Sequence, residues 1–132
     1  MNYYISSEKN KIQLPIVKHL MEQSYWAKDR SEQIVAETIK NSLCFGAYLE
    51  DGRQIAFARV ITDYVTSYYL CDVVVDEPYR GVGIGTALVG EIVKDSRLRG
   101  LRGILATGHA QSLYRKFGFE CGGERLMERK AK

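Results

Sequence analysis

The chain has 132 residues, 45% of them apolar, and a formal net charge of +3. That is material for one core of ordinary globular kind, and the expectation is a single domain over residues 1–132. The mild positive balance suits a polyanionic small ligand. Without a basic stripe or arm it argues against a nucleic-acid binder.

Tyr3 to Ser6 reads as a short first strand. Pro15 opens a helix through about Gln23, with Ile16, Leu20 and Met21 on one face. The segment Ser24 to Arg30 breaks that pattern and reads as a loop. Ser31 is the expected N-cap of a second helix, in which Ile34, Val35, Thr38 and Ile39 fall at helical spacing. Strands follow at Leu43 to Glu50 and Gln54 to Thr62, joined by the tight-turn pair Asp51-Gly52. Ser67 to Val75 is the third strand of this meander, and its nearly continuous apolar run suggests burial on both faces.

A glycine-rich turn comes next, then a helix from about Gly83 to Asp95 with Ile84, Leu88, Ile92 and Val93 inward. Gly103 to Thr107 reads as a short strand. Ala110 to Lys116 reads as a short helix with Gly118 suited to its C-cap. Phe119 to Cys121 and Leu126 to Arg129 are expected as closing strands. The order predicts an α+β fold with a mixed, mostly antiparallel central sheet flanked by helices. The crossover through the glycine turn makes the strands at 68–75 and 103–107 parallel neighbours, and ligands collect at the C-terminal ends of such strands.

Cys44, Cys71 and Cys121 are odd in number and widely spaced, with no Cys-x-x-Cys pair. That pattern speaks against a metal site or a disulfide framework and for a reducing compartment. The first residues carry no apolar stretch of the secretory kind, and no apolar run is long enough to span a bilayer. The expectation is a cytoplasmic protein with no membrane partner.

The turn reads Pro78-Tyr79-Arg80-Gly81-Val82-Gly83-Ile84-Gly85-Thr86-Ala87-Leu88. A strand, a glycine turn and a helix start aim several backbone N–H groups at one point, and the helix dipole adds positive potential there. Arg80 brings a charged, forked donor to the mouth of the loop. Two common phosphate loops fail on the residues themselves. A Walker loop requires lysine before Thr86, where Gly85 stands. The dinucleotide pattern requires a different glycine spacing and a place at the start of the fold.

Arg80-Gly81-Val82-Gly83-Ile84-Gly85 resembles the Arg/Gln-x-x-Gly-x-Gly/Ala signature of the GNAT acetyltransferase superfamily. Leu70 to Arg80 looks like that family's fourth strand and its entry to the loop. Ala110 to Phe119 looks like its Ala-x-x-Leu/Phe-Tyr-x-x-x-Gly-Phe segment. The resemblance covers residues 43–119 well and the two N-terminal helices more loosely. It implies acetyl-CoA as co-substrate and an amine acceptor, with transfer by direct attack in a ternary complex. The pyrophosphate would lie on the backbone of Val82, Gly83, Ile84, Gly85 and Thr86, with Arg80 and Gly81 at the edge. The pantetheine arm would pair with the fourth strand at Val73 and Val75.

The resemblance places Tyr114 beside the cofactor sulfur, where a protonated phenol can donate to a departing thiolate. The plainer reading makes Tyr114 a packing aromatic. Oxyanion stabilisation falls to a backbone N–H near Val73 or Val74. Asp72 is a carboxylate inside an apolar strand, so it needs either a partner or a raised pKa. It is a candidate base, and capping a loop or pairing with an arginine is the alternative. His109 and ordered water are the other routes for the amine proton. Relatives with a glutamate at the position of Cys71 have a device absent here. A cysteine there is core filler before it is a nucleophile. Trp26 and Arg30 are candidates for the acceptor wall and an anion anchor, with core closure and surface charge as their plainer readings. Tyr25, Arg59, Asp63 and Tyr64 stand near enough in the chain to contribute. The competing function is an acyl-CoA sensor or interaction module without turnover. The family often dimerises, so a homodimer is possible.

Overall fold

A computed structural model describes residues 1–131, and one five-stranded sheet in the order β1-β2-β3-β4-β5 runs through it. The strands are β1 (Tyr3–Ser6), β2 (Leu43–Leu49), β3 (Gln54–Thr62), β4 (Ser67–Val75) and β5 (Arg102–Ile104). The first four pair antiparallel and β4 pairs with β5 in parallel, as the crossover rule requires. The helices are α1 (Leu14–Glu22), α2 (Glu32–Lys40), α3 (Ile84–Lys94) and α4 (Gln111–Arg115).

Strand periodicity sorts the side chains into two cores. Leu43, Phe45 and Ala47 of β2, with Ala56, Ala58 and Val60 of β3, join Ile84, Leu88, Val89 and Ile92 of α3. The intervening Cys44 and Phe57 join Val74 and the buried faces of α1 and α2, namely Val17, Leu20, Met21, Val35 and Ile39. The α1–α2 pair thus covers one face and α3 the other. Leu88 is fully buried, and cutting a buried leucine back to alanine costs about 2–5 kcal/mol.

Local chemistry sets the element ends. Ser31 Oγ accepts the N–H of Ile34 at 3.2 Å and caps α2. Gly52 turns the β2–β3 hairpin at φ +93°, with its N–H on Leu49 O at 2.9 Å. Gly103 of β5 lies opposite Tyr68, whose ring fills the space of the missing side chain; a Cβ there would sit 2.6 Å from it.

Three expectations are corrected. The segments at 119–121 and 126–129 form no strands. Phe119 instead turns edge-on to Tyr114, while Leu126 and Met127 stand 73% and 93% exposed with no face to bury. The last parallel strand stops at Ile104 rather than Thr107 because it diverges from β4 there. Nor is β4 buried on both faces: Tyr68, Leu70, Asp72 and Val74 are buried, whereas the alternating Cys71, Val73 and Val75 are only half-buried and Tyr69 is 39% exposed.

Candidate functional site

The sheet opens where β4 outruns β5. Only Ser67, Tyr68 and Tyr69 are in register with β5, while β4 continues to Val75. Among the described residues, no strand covers the far edge of β4 from Leu70 onward.

A bulge marks the same stretch. Cys71 is opposite Arg59 and Val74 is opposite Phe57, so Asp72 and Val73 together face one residue, Ala58. Asp72 takes φ +53°, a left-handed conformation that aspartate tolerates better than most residues.

Three donors hold it there. Trp26 Nε1 donates to Asp72 Oδ1 at 2.9 Å. Arg30 Nη1 and Arg59 Nε both donate to Oδ2, at 2.7 and 2.8 Å. Burial alone would push this carboxyl's pKa up. The bonds from Arg30 and Arg59, the charge of Arg59 and the Trp26 bond outweigh that effect, and the net position is below the usual carboxylate range. Arg59 also reaches Ser42 Oγ at 3.1 Å. Of the readings of Asp72, the arginine pair is the geometry observed.

Trp26 is 46% exposed and so does not close the core. It meets Tyr25 edge-on at 5.1 Å, and Tyr25 meets His109 edge-on at 6.1 Å. The loop after α1 is thereby joined to the loop after β5 through an aromatic row. Arg30 is committed to Asp72 on one nitrogen and is 27% exposed along its side chain. Beyond Arg59 an open groove of about 560 Å³ runs between α2 and β3, with Ile34 and Ile61 on its sides. Asp63 is taken up by its own turn, accepting from the N–H groups of Val65 and Thr66 at 2.9 and 2.8 Å.

The glycine turn lies at the end of the open edge. Gly81 and Gly83 have φ +83° and +89°, and Gly83 is the N-cap of α3. Nothing lies within 4 Å of a Cβ built on either, so backbone conformation rather than crowding calls for glycine there. Gly85 is helical, and Ile84 is buried under the turn. Arg80 does not project freely. Its Nε donates to Val75 O at 2.8 Å and its Nη2 to Gln23 Oε1 at 3.0 Å.

Tyr114 lies on α4, half-buried, with its ring 6.0 Å from that of Phe119. Burial pushes its phenol up from the ordinary tyrosine value. Burial likewise pushes the Cys71 thiol up to about 11, so it stays protonated at neutral pH.

The family model described as "Acetyltransferase (GNAT) family" matches residues 14–119. The chain belongs to the GNAT acetyltransferase family. A solved structure from Xanthomonas campestris pv. campestris, assigned to the same family, is 38% identical with a TM-score of 0.91, covering 99% of this chain and 94% of that one. The curated relative "GCN5-related N-acetyltransferase 1, chloroplastic" of Arabidopsis thaliana is 30% identical over 70% of this chain and 48% of its own length. This GNAT chain therefore spans about half the length of that relative. A structure from Clostridium acetobutylicum determined with acetyl-CoA shares the fold at a TM-score of 0.69 and 17% identity, covering 97% of this chain and 95% of that one.

Two residues of this GNAT site carry no signal in the sequence. Gln23 and Asp76 meet across 53 positions, and their bond exists only once α1 has packed beside the end of β4. Arg59, expected as a contributor to the acceptor side, is instead bonded to Asp72 and Ser42.

Proposed function

We propose that the protein is an N-acetyltransferase that moves the acetyl group of acetyl-CoA to a primary amine by direct attack in a ternary complex. The carrying observation is the uncovered edge of β4, which leads directly into the glycine turn. Buried or half-buried backbone seeks partners, and an extended amide-rich arm can supply them. Acetyl-CoA would bring the activated thioester and the thiolate leaving group.

The residues present fit that molecule. Asp76 N donates to Ile55 O of β3, so the preceding Val75 carbonyl points to the open edge, where Arg80 already occupies it. The Val75 N–H on that edge and the backbone at Val73 are left for the pantetheine amides. The turn from Gly81 to Thr86 offers its N–H groups to the pyrophosphate, and Arg80 adds charge beside them. Val73, in the bulge, is the place for the oxyanion contact, since Val74 remains in register with Phe57.

Tyr114 is assigned as the acid that protonates the leaving thiolate. Its raised pKa keeps the proton in place at neutral pH. Asp72 is assigned to positioning. Both its oxygens accept hydrogen bonds and its proton affinity is lowered, which suits a counter-ion to Arg30 and Arg59 better than a base. The amine proton passes to water or to His109. Trp26, Tyr25 and His109 wall the acceptor site, with Arg30 held on Asp72.

The test is purified protein with acetyl-CoA and a panel of amines, following thiol release. Amine-dependent release supports the reading. CoA binding without release for any amine would leave a binding module instead.

A further inference from the structure

We infer that Gln23, the residue that closes α1, is a positioning residue that clasps Arg80 and the entry to the glycine turn. The inference rests on the assignment of that turn to the pyrophosphate. The Gln23 amide makes three bonds to one short stretch of chain. Its Nε2 donates to Asp76 Oδ1 at 2.9 Å, and its Oε1 accepts from Glu77 N at 3.1 Å and from Arg80 Nη2 at 3.0 Å. The chemistry allows one orientation of the amide only, because a carboxylate accepts whereas an N–H and a guanidinium donate. Asp76 is 3% exposed, and apart from Gln23 its side chain meets Arg53 at 3.9 Å.

The clasp changes what Arg80 can do. A guanidinium recognises a phosphate two-pronged along an edge such as that of Nε and Nη2. Here that edge is turned inward, with Nε on Val75 O at 2.8 Å and Nη2 on Gln23. Arg80 therefore faces the ligand from its Nη1 side, at a position Gln23 sets. Downstream, α3 takes hold from Gly83, whose carbonyl accepts from Ala87 N at 3.0 Å. The turn is held at its end by α3 and at its start by the clasp. Gln23 also precedes the loop that carries Trp26, whose first turn is closed by Ala27 N on Ser24 Oγ at 3.1 Å. One residue thus anchors the start of both loops.

The experiment compares wild type, Gln23→Ala, Gln23→Glu and the double variant Gln23→Glu/Asp76→Asn. Steady-state kinetics, CoA calorimetry and amide hydrogen exchange of the ligand-free protein over residues 77–83 are the readouts. Gln23→Ala should raise both the KM for acetyl-CoA and the Kd for CoA about tenfold while kcat stays within about twofold, as loss of a positioned hydrogen bond to a charged group implies. Exchange over 77–83 should rise. Gln23→Glu retains the acceptor for Arg80 but opposes a second carboxylate to buried Asp76, so it should be worse. Adding Asp76→Asn supplies an amide that donates back, and should restore KM and exchange protection together. Unchanged exchange and KM in Gln23→Ala, a loss confined to kcat, or no rescue in the double variant would overturn the clasp. A wild type that binds no CoA would overturn the functional reading, while the exchange comparison, which needs no ligand, would still decide the clasp.

Discussion

The indole N–H of Trp26 reaches Asp72 Oδ1 at 2.9 Å and ties the loop after α1 to the bulge of β4. An exposed tryptophan is thereby fixed beside the open edge by a carboxylate that is itself inside the sheet. Trp26→Phe retains the ring and removes the donor. It should cost about 1.5–3 kcal/mol, the usual worth of a hydrogen bond to a charged group. Urea unfolding measures that loss. A rise in KM for the acceptor, with KM for acetyl-CoA unchanged, would follow if the loop forms the acceptor wall.

Asp72 also predicts an acid dependence of stability. Its folded pKa is lowered, so its contribution is fully present above the unfolded aspartate value of about 3.9 and is lost as pH falls through the lowered folded value. Asp72→Asn removes the anion between Arg30 and Arg59, and breaking such a buried arrangement costs about 3–5 kcal/mol. The gap between wild type and Asp72→Asn in urea midpoint should be widest at neutral pH and shrink below about pH 4. A gap constant down to pH 2 would contradict the pairing.

For Tyr114→Phe the expected loss lies in kcat, by about 10²–10⁴-fold if the phenol is the general acid, with KM for acetyl-CoA and thermal stability little changed. Because the phenol's pKa is raised, the alkaline fall in wild-type kcat should lie above the ordinary tyrosine value of about 10. Turnover unaffected by the substitution would reduce Tyr114 to its packing against Phe119.

The order of elements was legible because each is announced locally. Ser31 caps α2, Asp51-Gly52 turns the hairpin, and the apolar run before Gly81 ends in a helix start. What sequence reading missed is relational. The apolar pair Leu126-Met127 resembles part of a closing strand, but the two side chains find nothing to cover. The buried charge of Asp72 was recognisable as needing a partner. That the partners are Trp26, Arg30 and Arg59 together depends on the bulge that turns it toward them. Arg80 was read as a free phosphate ligand because the tie from Gln23 comes from a helix far away in the chain.

His109 offers a further check on the route of the amine proton. It is exposed, with its ring edge-on to Tyr25 at 6.1 Å. If it takes the proton, His109→Gln should lower kcat for the amine by about 10²-fold or more. If water takes it, kcat should be retained and only KM for the acceptor should move.

The two glycines that bracket Ile84 should respond in opposite ways to the same change. Gly83 is at φ +89°, where an alanine pays about 1–2 kcal/mol for a left-handed backbone, whatever the room around it. Gly83→Ala should therefore lower the urea midpoint and weaken CoA binding together, because the strain falls on the turn that presents the N–H groups. Gly85 lies inside α3, and a Cβ on it would meet Leu113 and Val75 at 3.7 Å, ordinary contact distance. Gly85→Ala should raise stability by up to about 1 kcal/mol, the difference in helix propensity. Its CoA affinity should be unchanged, since a methyl group packed toward Leu113 points away from the N-terminal amides. Paired calorimetry and unfolding of the two variants decide the matter. A large loss of CoA binding in Gly85→Ala with an intact fold would mean that the ligand lies deeper along α3 than the turn itself.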